Sequence, residues 1–351
     1  MNESTSPVKI LTALGQGIVK ALHERRFPVL EIPDRRTSNI VFDEDSNSYV
    51  LGPSHNIRDS SNVKHVKRFA QLTWVASFAK NLLQASRTSS LRDLYYSSEA
   101  FGVGFTDQSE SDRIVTDIEC ITGLPRESFG IYPEEHSSIY GDVVMRYTVS
   151  GYEGKEIDLT ISPDGLPVGP ALMTAEPLES KAEIVLAVES GGMFSRLIET
   201  KAWKRFKAVL IQLGGQPPRS IRRLMRNLHV ALDLPVYIFT DGDPWGMHIA
   251  KVITSGSANS AHIKDLTIPN AKWIGVTPDD IIQYSLPTEP MSDADLKRLD
   301  ELSHDVRYGE SEWQTHIQQF KKIRIKAEQQ AFSRFGMDYV VDAYLSTKLT
   351  R

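Results

Sequence analysis

Apolar positions along the first part of the chain recur at helical spacing. Ile10, Leu11, Leu14, Ile18 and Leu22 predict an amphipathic helix over about residues 9–26. "NIVFDEDSNSYVLGPS" then reads as short strands with turn residues between them. Trp74, Phe78 and Leu82 fall at successive i+4 positions and predict a long helix. Ser90 and Asp93 have capping-box spacing at the start of a short one. Ile114, Val115, Ile118 and Ile121 share a face of a further helix from about Glu110 to Thr122, with Gly123 as its C-terminal cap. Next the period drops to two. Val143, Met145, Tyr147 and Val149 alternate with polar neighbours, and Ile157, Leu159 and Ile161 do so after a Gly-containing turn, which predicts a β-hairpin. Helices followed by a hairpin make the outline of a winged helix, a helix-turn-helix variant used on DNA.

A Pro-, Gly- and Ser-rich stretch at 162–181 reads as a linker, and beyond it the pattern changes again. "AEIVLAV", "AVLIQL", "PVYIFT" and "KWIGV" are continuous apolar runs with helical segments between them. Such runs predict parallel strands covered on both faces. The fold class expected is therefore a multidomain α/β chain, winged helix first and parallel α/β domain second. The expected boundaries are 1–60 for an N-terminal helix and short strands, 61–161 for the winged-helix domain, 162–181 for the linker and 182–351 for the α/β domain with a helical extension.

The 351 residues are too many for one ordinary core, and 40% hydrophobic with 24% charged residues is a soluble globular balance. No apolar run approaches the ~20 residues of a membrane helix, and the N-terminus has no apolar signal region, so the expectation is a cytoplasmic protein without membrane contact. A single cysteine, Cys120, excludes an internal disulfide and reads as structural. Net charge is −5, which does not announce a nucleic-acid binder. The local balance differs: from Asn62 to Tyr96 stand Lys64, Lys67, Arg68, Lys80, Arg87 and Arg92 against Asp93 alone. Such a stretch is either a solvated helix face or a footprint of phosphate contacts. Within it, "SSLRDLYYSSE" sets Tyr95 and Tyr96 side by side, with Arg92 one helical turn before Tyr96. Packing is the simplest reading of the pair, one ring pointing into a core and the other lying on its rim.

Ligands of open parallel sheets bind beyond the carboxyl ends of the strands. Glu189 sits at one such end in "VLAVESGG", and Asp241 and Asp243 at another in "YIFTDGDPWG". Oxygen donors without a His or Cys partner suit Mg²⁺. An Asp after a strand can also merely cap the next helix. A haloacid-dehalogenase reading of Asp-x-Asp lacks the expected Thr or Val two residues on, where Trp245 stands, and leaves Glu189 unused. No P-loop signature is present, and His248 and His262 lack an i, i+4 partner for zinc.

A strand ending in Glu and a later strand ending in Asp-x-Asp resemble the Toprim pattern. The longer stretches "GQPPRSIRRLMRNLHVALDLPVYIFTDGDPWG", "AKWIGVTPDDI", "KAEQQAF" and "SSLRDLYYSSE" resemble the A subunits of type IIB DNA topoisomerases, a superfamily shared with the meiotic transesterase that makes programmed double-strand breaks. The resemblance runs from about residue 60 to the end. It implies that Tyr96 attacks a DNA phosphodiester to leave a 5′-phosphotyrosyl link, and that Tyr95 is the packing ring. It also implies that Glu189, Asp241 and Asp243 hold Mg²⁺. Arg92 is placed to contact the scissile phosphate. The implied partners are double-stranded DNA, a second copy of the chain whose metal serves the first copy's tyrosine, and an ATP-using B subunit in an A2B2 assembly. The expected function is transient double-strand cleavage and resealing during strand passage. Two alternatives remain open at this point: a stand-alone break-forming transesterase, and a winged-helix binding module with an inert Toprim domain. The stripe of the N-terminal helix is expected either to pack on its own chain or to dock on the ATPase partner.

Overall fold

The computed structural model describes residues 6–133 and 137–349. Residues 1–5, the start of the expected N-terminal region, and residues 350–351, the end of the expected C-terminal one, lie outside the described residues. The chain packs as two compact units. The first comprises Met1–Val41, Tyr49–Glu134 and Ala258–Lys264; the second comprises Phe42–Ser48, Glu135–Ser257 and Asp265–Arg351.

The first unit is mainly helical, with α1 at Pro7–His23, α2 at Val63–Gln84, α3 at Leu91–Ala100 and α4 at Gln108–Thr122. Its core joins Leu72, Val75 and Ala79 of α2 to Leu91 and Leu94 of α3 and to Ile114, Val115 and Ile118 of α4. Burial of that apolar surface is the main force holding the helices together. The expected stripe of Trp74, Phe78 and Leu82 is only partly buried against this core, and Trp74 stacks on Phe78 at 5.2 Å between ring centres. The neighbouring face of the helix, with Leu72, Val75 and Ala79, is the one that packs. On α4 the expected face is the observed one, and Gly123 ends the helix at φ +67°, a left-handed conformation that favours glycine. Leu11 anchors α1 in the core, whereas Val19 and Leu22 further along α1 are exposed. Cys120 is partly buried and packs on the core.

The segment 258–264 completes this unit from far along the chain. Its His262 places Nε2 3.1 Å from Oε2 of Glu119 on α4. Glu119 is fully buried and also accepts bonds from the backbone N–H of Arg126 at 2.8 Å and from Nη2 of Arg126 at 2.9 Å. A buried carboxylate persists only when so paired.

The second unit is built on a six-stranded sheet, in the order Leu166–Pro167, Ser138–Tyr140, Ala208–Gln212, Ile184–Val188, Val236–Phe239, Lys272–Gly275. The last four run parallel to one another, and Ser138–Tyr140 joins them antiparallel. These are the continuous apolar runs of the sequence, and Val185, Leu186, Ala187 and Val188 are all fully buried. Among the described residues no helix is long and apolar enough to cross a membrane.

Two features differ from expectation. The hairpin forms, Val143–Arg146 pairing antiparallel with Glu156–Asp158, but it groups with the second unit and not with the three helices before it. The reason lies on its other edge, where Glu176–Ser180 adds a third strand, so that Val143, Met145 and Leu159 are buried there. The antiparallel ribbon of the first unit is Val29–Pro33 with His55–Asp59, which precedes those helices. The stretch 162–181, expected as a linker, contributes strands to two sheets of the second unit, Leu166–Pro167 and Glu176–Ser180.

Candidate active-site residues

The first group of candidates sits on α3. Ser90 accepts a hydrogen bond from the backbone N–H of Asp93 at 2.9 Å, and the Asp93 carboxylate accepts one from the Ser90 N–H. This capping box, with Leu91 and Leu94 buried beneath it, fixes both the start and the rotation of the helix. The two tyrosines then part. Tyr95 is half-buried, and desolvation together with the neighbouring charge of Glu99 raises its hydroxyl above the ordinary phenol range. Tyr96 is 54% exposed, with the Arg92 guanidinium 5.8 Å from its ring centre. The rings of Tyr95 and Tyr96 meet edge to face at 5.4 Å, so the more buried ring braces the more exposed one.

The second group lies in the second unit, at the carboxyl ends of two adjacent parallel strands. Glu189 directly follows Ile184–Val188, and Asp241 and Asp243 lie just past Val236–Phe239. Backbone amides hold all three carboxylates. Glu189 Oε2 accepts from the Asp241 N–H at 2.9 Å. Asp241 Oδ1 accepts from the Gln329 N–H at 2.8 Å. Asp243 Oδ1 caps the helix Pro244–Ser255, accepting from Trp245 N–H at 2.9 Å and Gly246 N–H at 2.7 Å. Each acid thus commits one oxygen to the backbone and leaves the other for a ligand. Gly246 is needed for this turn, because a Cβ there would lie 2.1 Å from the Asp241 carbonyl oxygen.

Burial and like charge make the ledge expensive to ionise. Desolvation, then the Asp241 and Asp243 charges, push the Glu189 carboxyl up to about 8. Desolvation first, with Asp243 adding, pushes Asp241 up to about 6. Asp243 is raised too, by desolvation and by Asp295, against the pull of its Gly246 hydrogen bond. Acids that resist ionising beside one another are relieved by a cation. Among the described residues no three His, Cys, Asp or Glu side chains form a ready-made metal cage. The donor set suits Mg²⁺ all the same, since that ion keeps several waters and takes one or two carboxylates plus substrate phosphate oxygens. Glu189 and Asp241, linked through the Asp241 N–H, fit as the direct pair, with Asp243 beside them.

The pattern of the sequence did not reveal the surroundings of the ledge. A cleft of about 330 Å³ is lined by Asp241, Asp243, Glu289, Lys326 and Glu328, among others. Lys326 donates to Asp295 Oδ2 at 3.0 Å, and that hydrogen bond, first among its causes, holds its pKa above the usual range. Trp245 Nε1 donates to the other oxygen of Asp295 at 3.1 Å. The stretch "KAEQQAF" carries Lys326 and Gln329, but only pairing with a segment 88 positions earlier gives them a place beside the acids.

Comparison with known proteins finds a family match in each of the two regions. Residues 184–349 match the Toprim-domain family of the topoisomerase 6 A subunit and Spo11, and residues 67–131 match the family described as Type IIB DNA topoisomerase. The A subunit of type 2 DNA topoisomerase 6 from Methanothermobacter thermautotrophicus is 44% identical over 99% of this chain and 98% of its own length. The proteins of the same name from Archaeoglobus fulgidus and Methanocaldococcus jannaschii are 36% and 38% identical, over 98% and 96% of this chain and 96% and 92% of their own lengths. With the helix carrying the paired tyrosines inside one matched region and the acidic ledge inside the other, the chain belongs to the topoisomerase VI A-subunit family and is a catalytic subunit of a type IIB DNA topoisomerase.

Proposed function

We propose that Tyr96 is the nucleophile and that Glu189, Asp241 and Asp243 hold a divalent metal, Mg²⁺, for the same reaction. The observation that carries the choice is the contrast on α3: an exposed phenol beside a guanidinium, next to a half-buried phenol that serves as its support. The Tyr96 oxygen attacks the phosphorus, its proton leaves, and the bond from phosphorus to the 3′ oxygen breaks. The 5′ end remains on Tyr96 and the 3′ end departs as a hydroxyl. Reversal by that hydroxyl reseals the strand without a ligase, because the phosphotyrosyl ester conserves the bond. Arg92 neutralises charge on the phosphate as the phenol approaches. The metal, when bound, polarises phosphate oxygens and stabilises the leaving 3′ oxygen. The three-helix region of the first unit serves as the winged-helix DNA-cleavage module, and its basic stretch meets the duplex backbone.

Cutting both strands calls for two tyrosines, hence a dimer of this chain, in which the acids of one copy serve the tyrosine of the other. Mixed dimers test that arrangement. A heterodimer of a Tyr96→Phe chain and a Glu189→Ala chain contains one doubly damaged site and one intact site if the parts come from different copies. It should then nick a single strand. If both parts come from the same copy, each site carries one defect and no nick forms; absence of nicking in purified heterodimers would refute the shared site.

Strand passage requires an ATPase, which we assign to a B subunit in an A2B2 assembly, in keeping with relatives named as A subunits. Its docking surface is the exposed part of α1, where Val19 and Leu22 lie open at helical spacing. Deleting residues 1–26 should spare the dimer of A chains while weakening both capture of the ATPase partner and ATP-dependent relaxation. Undiminished capture by the truncated chain would rule this contact out.

A further inference from the structure

The geometry points to Gln329 as the residue that sets the spacing between the two metal-holding strand ends, and so as a positioning residue for metal affinity. Gln329 is fully buried on the 3₁₀ turn Gln329–Phe335, far along the chain from the acids. Its side-chain amide uses both ends. Oε1 accepts from the backbone N–H of Ser190, the residue after Glu189, at 3.0 Å. Nε2 donates to the carbonyl of Phe239, two residues before Asp241, at 2.9 Å. Its own backbone N–H donates to Asp241 Oδ1 at 2.8 Å. One residue therefore ties the loop of Glu189, the strand leading to Asp241 and the Asp241 carboxylate itself.

The segment before it holds Gln329 in place. Gly242 N–H donates to the Ala327 carbonyl at 2.7 Å, and Ala327 N–H donates back to the Gly242 carbonyl at 3.2 Å. The metal ledge is thus stitched to residues 327–329 through both backbone and side chain. Only an amide of this length can accept from one strand end while donating to the other. A carboxylate cannot donate to Phe239, and an apolar side chain can do neither. Groups that orient ligands in this way typically change metal affinity by about 10–100-fold when removed.

This inference rests on the reading of Glu189 and Asp241 as metal ligands, and one titration separates the two. Mn²⁺ binding to the full chain is followed by loss of the free-ion electron paramagnetic resonance signal, alongside melting temperature. Wild type should bind, and Glu189→Gln should bind far more weakly. Gln329→Met, of similar volume, should weaken binding roughly 10–100-fold. Gln329→Asn, one methylene short but still an amide, provides a milder change and should weaken binding less. Phe332→Leu is the stability control: Phe332 lies fully buried on the same turn, 4.3 Å from Tyr344 between ring centres. It should lower the melting temperature with Mn²⁺ affinity unchanged. Tight binding by wild type that both Gln329 variants retain would overturn the positioning role alone. Binding indifferent to Glu189→Gln would overturn the metal reading and this inference with it.

Discussion

Tyr96→Phe should abolish covalent attachment of DNA while Tyr95→Phe retains most of it. The first substitution removes one oxygen from a ring that is already 54% exposed, so no cavity opens in the core. The melting temperature and duplex affinity should therefore stay close to wild type. Without the hydroxyl there is no atom on that ring to carry the 5′ phosphate. The second substitution removes the hydroxyl of the half-buried ring, whose contribution to Tyr96 is edge-to-face packing that phenylalanine preserves. Trapping the adduct with denaturant on an end-labelled duplex reads both outcomes. Reversed phenotypes would move the nucleophile to Tyr95.

The acids should show a different signature. Glu189→Ala or Asp241→Ala should lower metal-dependent cleavage by roughly 10²-fold or more, on the basis that ~3 kcal/mol of lost transition-state charge stabilisation corresponds to that factor. Asp243→Ala should cost less in cleavage but remove a helix cap, at about 1 kcal/mol. Stability should move the other way for Glu189, because its folded carboxyl is pushed up to about 8 from an ordinary 4.5 and that of Asp241 to about 6 from 3.8. The fold favours the protonated forms. Their contribution is therefore complete below the unfolded values and is lost as pH climbs through the folded ones, between about 4 and 8. Metal-free wild type should lose melting temperature over that range more steeply than Glu189→Gln, and Mg²⁺ added at pH 8 should restore it. Parallel curves for the two proteins would remove desolvation of Glu189 from the explanation. Cleavage by Glu189→Ala at the wild-type rate in limiting Mg²⁺ would sink the metal site.

Much of this is legible in local pattern. The Ser90–Asp93 box, the Gly123 cap and the four apolar runs of the parallel sheet each need only a few neighbouring residues, and each forms as the sequence predicts. The acids are visible because a strand end is itself a local feature. What escapes depends on distant partners. Alternation at 143–161 gives a hairpin but not the core it joins, and here Glu176–Ser180 decides that. A Pro- and Gly-rich composition resembles a linker even where short strands use the same residues at sheet edges. Helical spacing says of His262 only that it lacks an i, i+4 partner for zinc, and its actual partner Glu119 lies 143 positions earlier. Gln329 stands in view within "KAEQQAF", yet nothing near it in sequence tells that its amide spans two strand ends.

The contribution of Ala258–Lys264 to the first unit also sets an order of events during synthesis. A ribosome that has made the four helices has not yet made His262, so Glu119 is buried beside Arg126 with one of its partners still missing. By the time His262 leaves the exit tunnel, the strands Ile184–Val188, Ala208–Gln212 and Val236–Phe239 have already emerged. The helical unit therefore closes only after three strands of the sheet have been made, although its helices are translated first. Nascent chains halted before residue 258 should carry it in a form more open to protease than chains halted after residue 300.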